Sequence, residues 1–247
     1  MSLKAWRIEA ACQAAWPTTA ETVLDGWLLR HSGGSTRRLN ALHPTRDGPR
    51  DPAPVLAAAR ERLAAAGKPL TVRVPAIATG LDAALDRLGF GPPEGETLTL
   101  SAPLPPANPP TPHRVALHDR VTPDWLALRV DFAGLDGAEA MRLHRDIGLV
   151  PSPARFALVS DDAVTAAGFG TIVDGWLVLE SIVTSPSHRR TGHGRTLVTA
   201  LMHWAAAAGA AHACLQVLAT NIPAIALYRT LGFDREAYRY AYRVART

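Results

Sequence analysis

The stretch between residues 176 and 202 constrains the fold of this chain more than any other. Its apolar start, from Trp176 to Thr184, predicts a buried strand, and its apolar end, from Arg195 to Met202, predicts a helix. Between them lies the turn Arg189-Arg190-Thr191-Gly192-His193-Gly194. Glycines leave the backbone open to an anion, and a helix start offers unpaired N–H groups and partial positive charge. We therefore predict a strand, a phosphate-binding turn and a helix in succession.

The turn differs from two common phosphate-binding motifs, because it lacks the third glycine of the dinucleotide pattern and a Gly-Lys-Ser/Thr ending. A second motif follows it, Asn221-Ile222-Pro223-Ala224-Ile225-Ala226-Leu227-Tyr228-Arg229-Thr230-Leu231-Gly232-Phe233. In order and spacing, Arg-x-x-Gly-x-Gly and Asn-x-x-Ala-x-x-Leu-Tyr-x-x-Leu-Gly-Phe resemble the GNAT superfamily of N-acetyltransferases. The resemblance covers roughly residues 113 to 247. It implies an α/β fold with a mixed, mostly antiparallel sheet flanked by helices, and acetyl-CoA as the acyl donor.

The resemblance also assigns the residues that would hold acetyl-CoA. The pyrophosphate would be bound by the turn and the first helical residues, with His193 acting through its backbone N–H: Arg189, Arg190, Gly192, His193, Gly194, Arg195 and Thr196. The backbone of Ile182, Val183 and Thr184 would pair with the pantetheine arm, and one of their N–H groups would polarise the thioester carbonyl. The residues alone leave two alternatives, a connecting turn with exposed arginines and an ordinary core strand.

Two side chains are candidates for proton transfer. Glu180, two residues before Ile182, could accept the proton of the amine nucleophile, directly or through water; the alternative is a solvent-facing or salt-bridged glutamate. Tyr228 could protonate the leaving thiolate or pack in the core. Asn221 could bond the pantetheine amides, cap the helix that follows it, or do both. Superfamily members that acetylate ribosomal proteins carry a glutamate on the next strand, where this chain has Gln216, which cannot act as a base.

The sequence does not identify the amine acceptor, so antibiotics, polyamines, amino acids and protein N-termini or lysines all stay open. In the resembled superfamily the acceptor lies against the helical region, here 122–150, and the final strands. Trp125 lies in that region. Asp131, Asp136 and Glu139 could attract a cationic amine there, or could form an ordinary solvated face.

From residue 113 onward, periodicity and capping predict the order β-α-α-β-β-β-α-β-α-β, which matches the superfamily topology. The predicted strands cover 113–121, 155–160, 164–173, 176–184, 212–219 and 235–245. The predicted helices cover 123–132, 137–147, 195–208 and 222–231. The first of these helices has Thr122 as its N-cap and Pro123 as its first residue.

A proline-rich stretch divides the chain. Half of the twelve residues from Ser101 to Pro112 are proline, which predicts an extended spacer because proline lacks an N–H and restricts the backbone. We predict one domain at 1–101 and an acetyltransferase domain at 113–247, joined by a linker at 102–112.

The first domain carries traces of the same fold. A shift of 143 aligns Val74 with Val217 and Leu88-Gly89-Phe90 with Leu231-Gly232-Phe233, and a shift of 142 aligns Pro44 with Pro186. With these shifts, a strand-like run at 36–42 aligns with the end of the strand at 176–184, and an Ala-rich helix at 55–66 falls near the helix at 195–208. Opposite the anion-binding turn, however, prolines without N–H groups and aspartates that repel phosphate occupy residues 47–54. We predict a degenerate GNAT-like copy that does not bind the cofactor in this way, and that covers the active domain, shapes the acceptor pocket or supports a homodimer.

Charge and composition argue against several other classes of function. The net charge is +4, and the excess of two positive charges on each side of residue 112 lacks the basic stripe typical of a nucleic-acid-binding protein. Cys12 and Cys214 form neither a disulfide framework nor a metal pattern, and the histidines have no familiar ligand spacing. With no apolar run of membrane-spanning length and no signal-peptide pattern before Glu9, we expect a cytoplasmic protein without membrane, metal or nucleic-acid partners.

Taken together, these patterns predict an N-acetyltransferase that passes acetyl directly from acetyl-CoA to a primary amine of a small molecule or a protein. The alternative is a CoA-binding regulatory or scaffold module that keeps the cofactor loop without turnover. Intact Glu180 and Tyr228 favour the enzyme.

Overall fold

A computed structural model describes residues 3–32, 36–48, 51–65, 67–105 and 114–246 of the chain. The α-helices within these residues are α1 (Leu3–Ala15), α2 (Ala53–Ala65), α3 (Leu81–Arg87), α4 (Pro123–Ala133), α5 (Gly137–Ile147), α6 (His193–Ala207) and α7 (Ile222–Arg229). The strands are β1 (Glu21–Leu24), β2 (Trp27–Arg30), β3 (Leu42–His43), β4 (Thr71–Pro75), β5 (Glu94–Pro103), β6 (Val115–His118), β7 (Ala154–Ser160), β8 (Val164–Val173), β9 (Trp176–Thr184), β10 (His212–Leu218) and β11 (Arg235–Val244). Short 3-10 turns occupy Arg37–Leu39 and Pro186–His188.

The strands form one mixed sheet in the order β1-β2-β3-β4-β11-β5-β10-β9-β8-β7-β6. Neighbouring strands are antiparallel except for the pairs β3–β4 and β9–β10, which are parallel. Parallel neighbours need a crossover, and α2 and α6 supply one each. The predicted α/β class with a mixed, mostly antiparallel sheet flanked by helices is therefore confirmed.

The predicted second copy of the fold is confirmed by the order of elements. The N-terminal half extends from α1 to β5 and has the order α-β-β-β-α-β-α-β. The C-terminal half begins at β6, and its segment from α5 to β11 has the same order. The halves exchange their last strands, because β5 lies beside β10 and β11 lies beside β4. The exchange is reciprocal: Val74 pairs with Ala241, and Val217 pairs with Leu98. Nothing in the sequence predicted it.

The exchange bears on the predicted domain boundaries. β5 continues to Pro103, past the predicted boundary at 101, because Ala102 and Pro103 still pair with β10. Residues 106–112 of the predicted linker lie outside the described residues. Since each half completes the sheet of the other, the boundaries at 101 and 113 stay predictions and do not mark separate sheets.

Local signals located most elements of the C-terminal half. α4 begins as predicted, with the Thr122 hydroxyl oxygen accepting from the Trp125 N–H at 3.2 Å and Pro123 in the first turn. α5 has the predicted bounds. α6 begins two residues earlier than predicted, at His193, because Gly192 adopts a left-handed conformation and serves as the N-cap.

The strand predicted over 36–42 is wrong for most of its length. A 3-10 turn forms there instead, in which the N–H groups of Leu39 and Asn40 bond the carbonyls of Thr36 and Arg37 at 3.0 and 2.9 Å. The Asn40 side chain also donates to the Thr36 carbonyl at 3.0 Å. These local hydrogen bonds override the apolar pattern, and only Leu42–His43 joins the sheet.

A buried ion pair joins two elements of the N-terminal half, and a hydrogen bond from the C-terminal half reaches it. Glu9 on α1 and Arg73 on β4 are each 1% exposed, and two N–H···O bonds of 2.7 and 2.9 Å join them. The hydroxyl of Tyr238 on β11 and the Gln13 amide also donate to Glu9. Burial raises the pKa of Glu9, but Arg73 and these hydrogen bonds lower it by more, so its pKa lies below its ordinary value.

Two further observations concern the whole chain. The sulfur atoms of Cys12 on α1 and Cys214 on β10, which lie far apart in sequence, are 3.8 Å apart in the core as free thiols. None of the described helices has both the length and the apolar character that a bilayer span requires.

We expect Glu9→Gln to lower the free energy of unfolding by about 3–5 kcal/mol, because it leaves Arg73 buried without a counter-charge. Asp174→Asn is the matched control, since the Asp174–Arg7 pair at 2.8 Å is more than half exposed and should contribute less than about 1 kcal/mol. Urea unfolding at neutral pH measures both. Equal losses in the two variants would contradict the role of the buried pair.

Candidate active site

Strands β9 and β10 part near the middle of the sheet. They pair at four positions, from Trp176–His212 to Leu179–Leu215, and the pairing ends there although both strands continue. A bulge in β9 follows at once: Ser181 has a φ of +53°, and the register with β8 shifts between Glu180 and Val183. Bulges bend a strand away from its neighbour, so a wedge opens between the ends of β9 and β10.

The turn after β9 presents backbone N–H groups at the start of α6. Arg190 and Gly192 have φ values of +68° and +91°, and no atom lies within 4 Å of the position a Gly192 Cβ would take. The first helical N–H groups have no intrahelical acceptor, whereas the Thr196 N–H bonds the Gly192 carbonyl at 3.0 Å. The Arg189 guanidinium lies over the Phe132 ring, 5.8 Å from its centre. The backbone at Gly192 is therefore uncovered on the side where a Cβ would lie.

The turn lines a cleft of about 690 Å³, here called the loop cleft. It brings together all the predicted cofactor-binding residues except Thr196: Ile182, Val183, Thr184, Arg189, Arg190, Gly192, His193, Gly194, Arg195, Asn221 and Tyr228. The imidazole of His193 is buried, with Nε2 3.2 Å from a carboxylate oxygen of Asp161. The role of the His193 backbone N–H in pyrophosphate binding stays a prediction.

A second cleft of about 420 Å³, here called the interface cleft, lies between the two halves. Its N-terminal wall consists of Trp16, Ser32, Thr36, Arg38 and Leu39. Its other walls come from α4, α5, β9, β10 and α7. The two clefts share Phe132, Ile182, Val183, Asn221, Ala224 and Tyr228. They therefore meet where β9 and β10 part.

Tyr228 on α7 lies at this junction. Its side chain is 7% exposed and packs edge-on against Phe233, with 6.0 Å between the ring centres. Burial and the nearby Glu180 raise its pKa above the ordinary value, so the phenol keeps its proton. Asn221 caps α7, because its side-chain oxygen accepts from the Ala224 N–H at 3.3 Å. Both residues of the second motif thus border both clefts.

Glu180 is ion-paired, which is one of the two alternatives left open by the sequence. Its two carboxylate oxygens accept from the Arg38 guanidinium at 2.6 and 2.9 Å, and the carboxylate is 6% exposed. Burial lowers the pKa of Arg38, but Glu180 raises it by more, so the guanidinium stays charged. Each oxygen keeps a second lone pair, so the pair does not by itself prevent Glu180 from accepting another proton or water.

Sequence reasoning missed Arg38. A signal was present, because Arg38 and Glu180 are 142 residues apart, and 142 is the shift that aligns Pro44 with Pro186. At that shift the two residues occupy equivalent positions of the two copies, and their side chains meet in the interface cleft.

The acceptor-side predictions have mixed outcomes. Trp125 is fully buried and bonds the Gly168 carbonyl through its indole N–H at 2.9 Å, so it belongs to the core and lines neither cleft.

Asp136 caps α5 by accepting from the Glu139 N–H at 2.8 Å, and Asp131 is exposed outside both clefts. Glu139 lines the interface cleft, as does Gln216, whose amide N–H₂ lies 3.4 Å from the Tyr238 hydroxyl. The predicted acidic cluster is thus dispersed.

Two solved structures with this fold are described as GNAT proteins. A GCN5-related N-acetyltransferase from Kribbella flavida has a TM-score of 0.69 and 21% identity, with 100% of this chain and 97% of that chain covered. A tandem GNAT protein from the clavulanic acid biosynthesis pathway has a TM-score of 0.60 and 18% identity, over 88% of this chain and 73% of that one. The fold and the arrangement of two GNAT units in one chain are thus those of the superfamily.

Sequence comparison gives the family. The N-acetyltransferase YobR of Bacillus subtilis, described as uncharacterized, is 26% identical over 97% of this chain and 98% of its own length. The alanine N-acetyltransferase of ribosomal protein bS18 from Escherichia coli K12 is 33% identical over 35% of this chain and 59% of its own length. A family model described as probable histone acetyltransferase Rv0428c C-terminal matches residues 5–243, so the chain belongs to that family of GNAT N-acetyltransferases.

We expect Arg38→Gln to lower the free energy of unfolding by about 3 kcal/mol or more, because the buried Glu180 carboxylate loses its only ion pair among the described residues. The neighbouring Arg37 is the control: its pair with Glu94, at 2.8 Å, is about half exposed, so Arg37→Gln should cost less than about 1 kcal/mol. Chemical denaturation of both variants is the measurement. The interpretation fails if Arg38→Gln is no less stable than Arg37→Gln.

Proposed function

We propose that this protein transfers the acetyl group of acetyl-CoA directly to a primary amine. The observation that carries the proposal is the meeting of two clefts where β9 and β10 part, with Tyr228 at the junction. The loop cleft is bordered by helix N–H groups without an intrahelical acceptor, which suits a donor that carries phosphates. The interface cleft lies between the halves and meets the loop cleft at the junction, which suits an acceptor.

The loop cleft fits the phosphates and the arm of acetyl-CoA. The open backbone at Gly192 and the N–H groups that begin α6 would hold the pyrophosphate, and Arg189, Arg190 and Arg195 would add positive charge. The unpaired edge of β9 at Ile182, Val183 and Thr184 would bond the amide groups of the arm, together with Asn221. When bound, acetyl-CoA supplies an activated thioester.

The residues at the junction would stabilise the charge that develops during transfer and would move protons. A backbone N–H of β9 near the bulge would stabilise the developing oxyanion. The Tyr228 phenol, which keeps its proton in this environment, would donate it to the departing thiolate. Glu180 would accept the proton of the amine, through water bound to the lone pairs that Arg38 leaves unused. The reaction needs no nucleophile from the protein.

The N-terminal half would act as a wall of the acceptor pocket. Arg38 and Leu39 border the interface cleft, and β5 completes the sheet next to β10. We retain 1–101 as the degenerate copy and 113–247 as the acetyltransferase unit. The relative from Escherichia coli is named for an alanine of a ribosomal protein. A relative from Streptomyces lavendulae, 39% identical over 27% of this chain, is named for streptothricin, so the relatives do not specify the acceptor.

The second candidate is a CoA-binding module without turnover. The bidentate Arg38–Glu180 pair favours it, since an occupied carboxylate is a poorer general base. Release of free thiol from acetyl-CoA in the presence of an amine panel separates the two candidates. Binding of CoA without thiol release for any amine would support the module.

We expect Gly192→Ala to weaken CoA binding by about tenfold or more, because a methyl group and a strained φ of +91° disturb the N–H groups that begin α6. Gly209, at the other end of α6, has a φ of +89° and equally open surroundings, so Gly209→Ala carries the same strain away from the cleft. Isothermal calorimetry with CoA measures both. Similar weakening in the two variants would attribute the effect to general destabilisation.

We expect Tyr228→Phe to lower kcat by about 100-fold or more while the KM for acetyl-CoA changes by less than about threefold, since it removes a proton donor and keeps the ring. Tyr240→Phe is the control, because Tyr240 is a buried tyrosine that borders neither cleft. Steady-state thiol release gives both constants. An unchanged kcat in Tyr228→Phe would remove the tyrosine from the mechanism.

A further inference from the structure

Two arginines in the interface cleft have buried nitrogen atoms without a hydrogen-bond partner. Arg129 lies on α4 and Arg142 on α5, so two helices present guanidinium groups to one space. The Nη1 atom of Arg129 and the Nε atom of Arg142 are buried, and neither has an acceptor among the described residues. The other contact of Arg129 is a weak one, with Nε 3.4 Å from the Ser181 hydroxyl oxygen.

Buried donors of this kind lower the stability of the fold, because they lose their hydrogen bonds to water and form none within the protein. Burial lowers the pKa of Arg129, and the nearby Glu180 compensates only in part. A guanidinium remains charged in proteins even so. An anion in the cleft would remove both costs, because a carboxylate or phosphate can accept two N–H groups from one arginine.

The carboxylates of the cleft do not fill this role. Glu180 is engaged by Arg38, and Asp146 accepts from the Arg145 Nε at 3.3 Å. Glu139 lines the same cleft and has no ion pair among the described residues. The lining has as many carboxylates as guanidinium groups, but Arg38 and Arg145 pair with two of those carboxylates. Among the described residues, two guanidinium groups without an ion pair therefore share the cleft with one such carboxylate.

The phosphates of the donor are not the missing partner. Neither Arg129 nor Arg142 borders the loop cleft, where the open turn and its own arginines lie. Arg129 instead touches Ser181, the bulge residue beside Glu180, and so lies close to the junction of the clefts. The unpaired guanidinium nitrogen atoms are on the acceptor side.

We infer that the acceptor is an amine that also carries a carboxylate or phosphate group, held by Arg129 and Arg142 with its amine directed toward Tyr228. This inference rests on the proposed acetyltransferase activity. It differs from the possibility that Asp131, Asp136 and Glu139 attract a cationic amine, because only Glu139 of these three lines the cleft. An amino acid, a peptide with a nearby carboxylate and an aminoalkyl phosphate share the required chemistry.

The test compares matched amines in the thiol-release assay, each with saturating acetyl-CoA. Alanine is paired with alaninamide, 2-aminoethyl phosphate with ethanolamine, and 1,4-diaminobutane represents polycations. We expect kcat/KM to be about 10- to 100-fold higher for the anionic member of a pair, which is the range for a charge-assisted hydrogen bond. Alanine and 2-aminoethyl phosphate distinguish a carboxylate site from a phosphate site.

Arg129→Gln and Arg142→Gln test the assignment of residues. In each variant the anionic-to-neutral ratio of kcat/KM should fall by about tenfold or more, mainly through a higher KM for the anionic amine. Arg62→Gln is the control, because Arg62 is an exposed arginine on α2, away from both clefts, and it should keep the wild-type ratio. Thermal unfolding of all three variants verifies that they fold.

The outcomes separate the two proposals. Thiol release with diaminobutane or the neutral amines at rates equal to or above those of the anionic amines would overturn the anionic acceptor and leave the acetyltransferase intact. A loss of activity in the arginine variants that is equal for anionic and neutral amines would also overturn it. CoA binding without thiol release for any amine would instead overturn the proposed activity, and the acceptor class with it.

Discussion

The structure depends on the hydrogen bonds that β5 and β11 make with the opposite half of the chain. β5 lies between β11 and β10, and β11 lies between β4 and β5, so the centre of the sheet consists of exchanged strands. Without β5 and β11, the strands β10 and β4 would each lose an antiparallel neighbour and expose a row of backbone groups. The halves are therefore two copies of one fold but a single unit of sheet structure.

The same exchange determines what meets at the interface. Arg38 and Glu180 are equivalent positions of the two copies, and they form a bidentate ion pair. In a symmetric dimer of identical units an equivalent contact of this kind would place like charges together. A tandem chain removes that restriction, because each copy can change independently. One copy keeps the open, glycine-containing turn, while the other has prolines and aspartates there and contributes a wall of the interface cleft.

The sequence predicted those parts of the site whose residues lie close together along the chain. Residues of the two motifs border one junction because strand, turn and helix are consecutive, and consecutive elements pack beside each other. Arg129 and Arg142 gave no such signal, since an arginine on a helix usually lies in solvent. Trp125 lies on the same helix as Arg129 but is buried in the core, because hydrophobic periodicity shows which residues share a helix face and not which element that face contacts.

The sequence by itself determined the local elements: the cap at Thr122, the bounds of α5, the turn before α6 and the cap at Asn221. Capping and periodicity act within a few residues, so they can be recognised without the rest of the fold. Only the tertiary structure decided the strand exchange and the Arg38–Glu180 pair. These contacts join residues more than a hundred positions apart, and their energy comes from burial and pairing that no local pattern encodes.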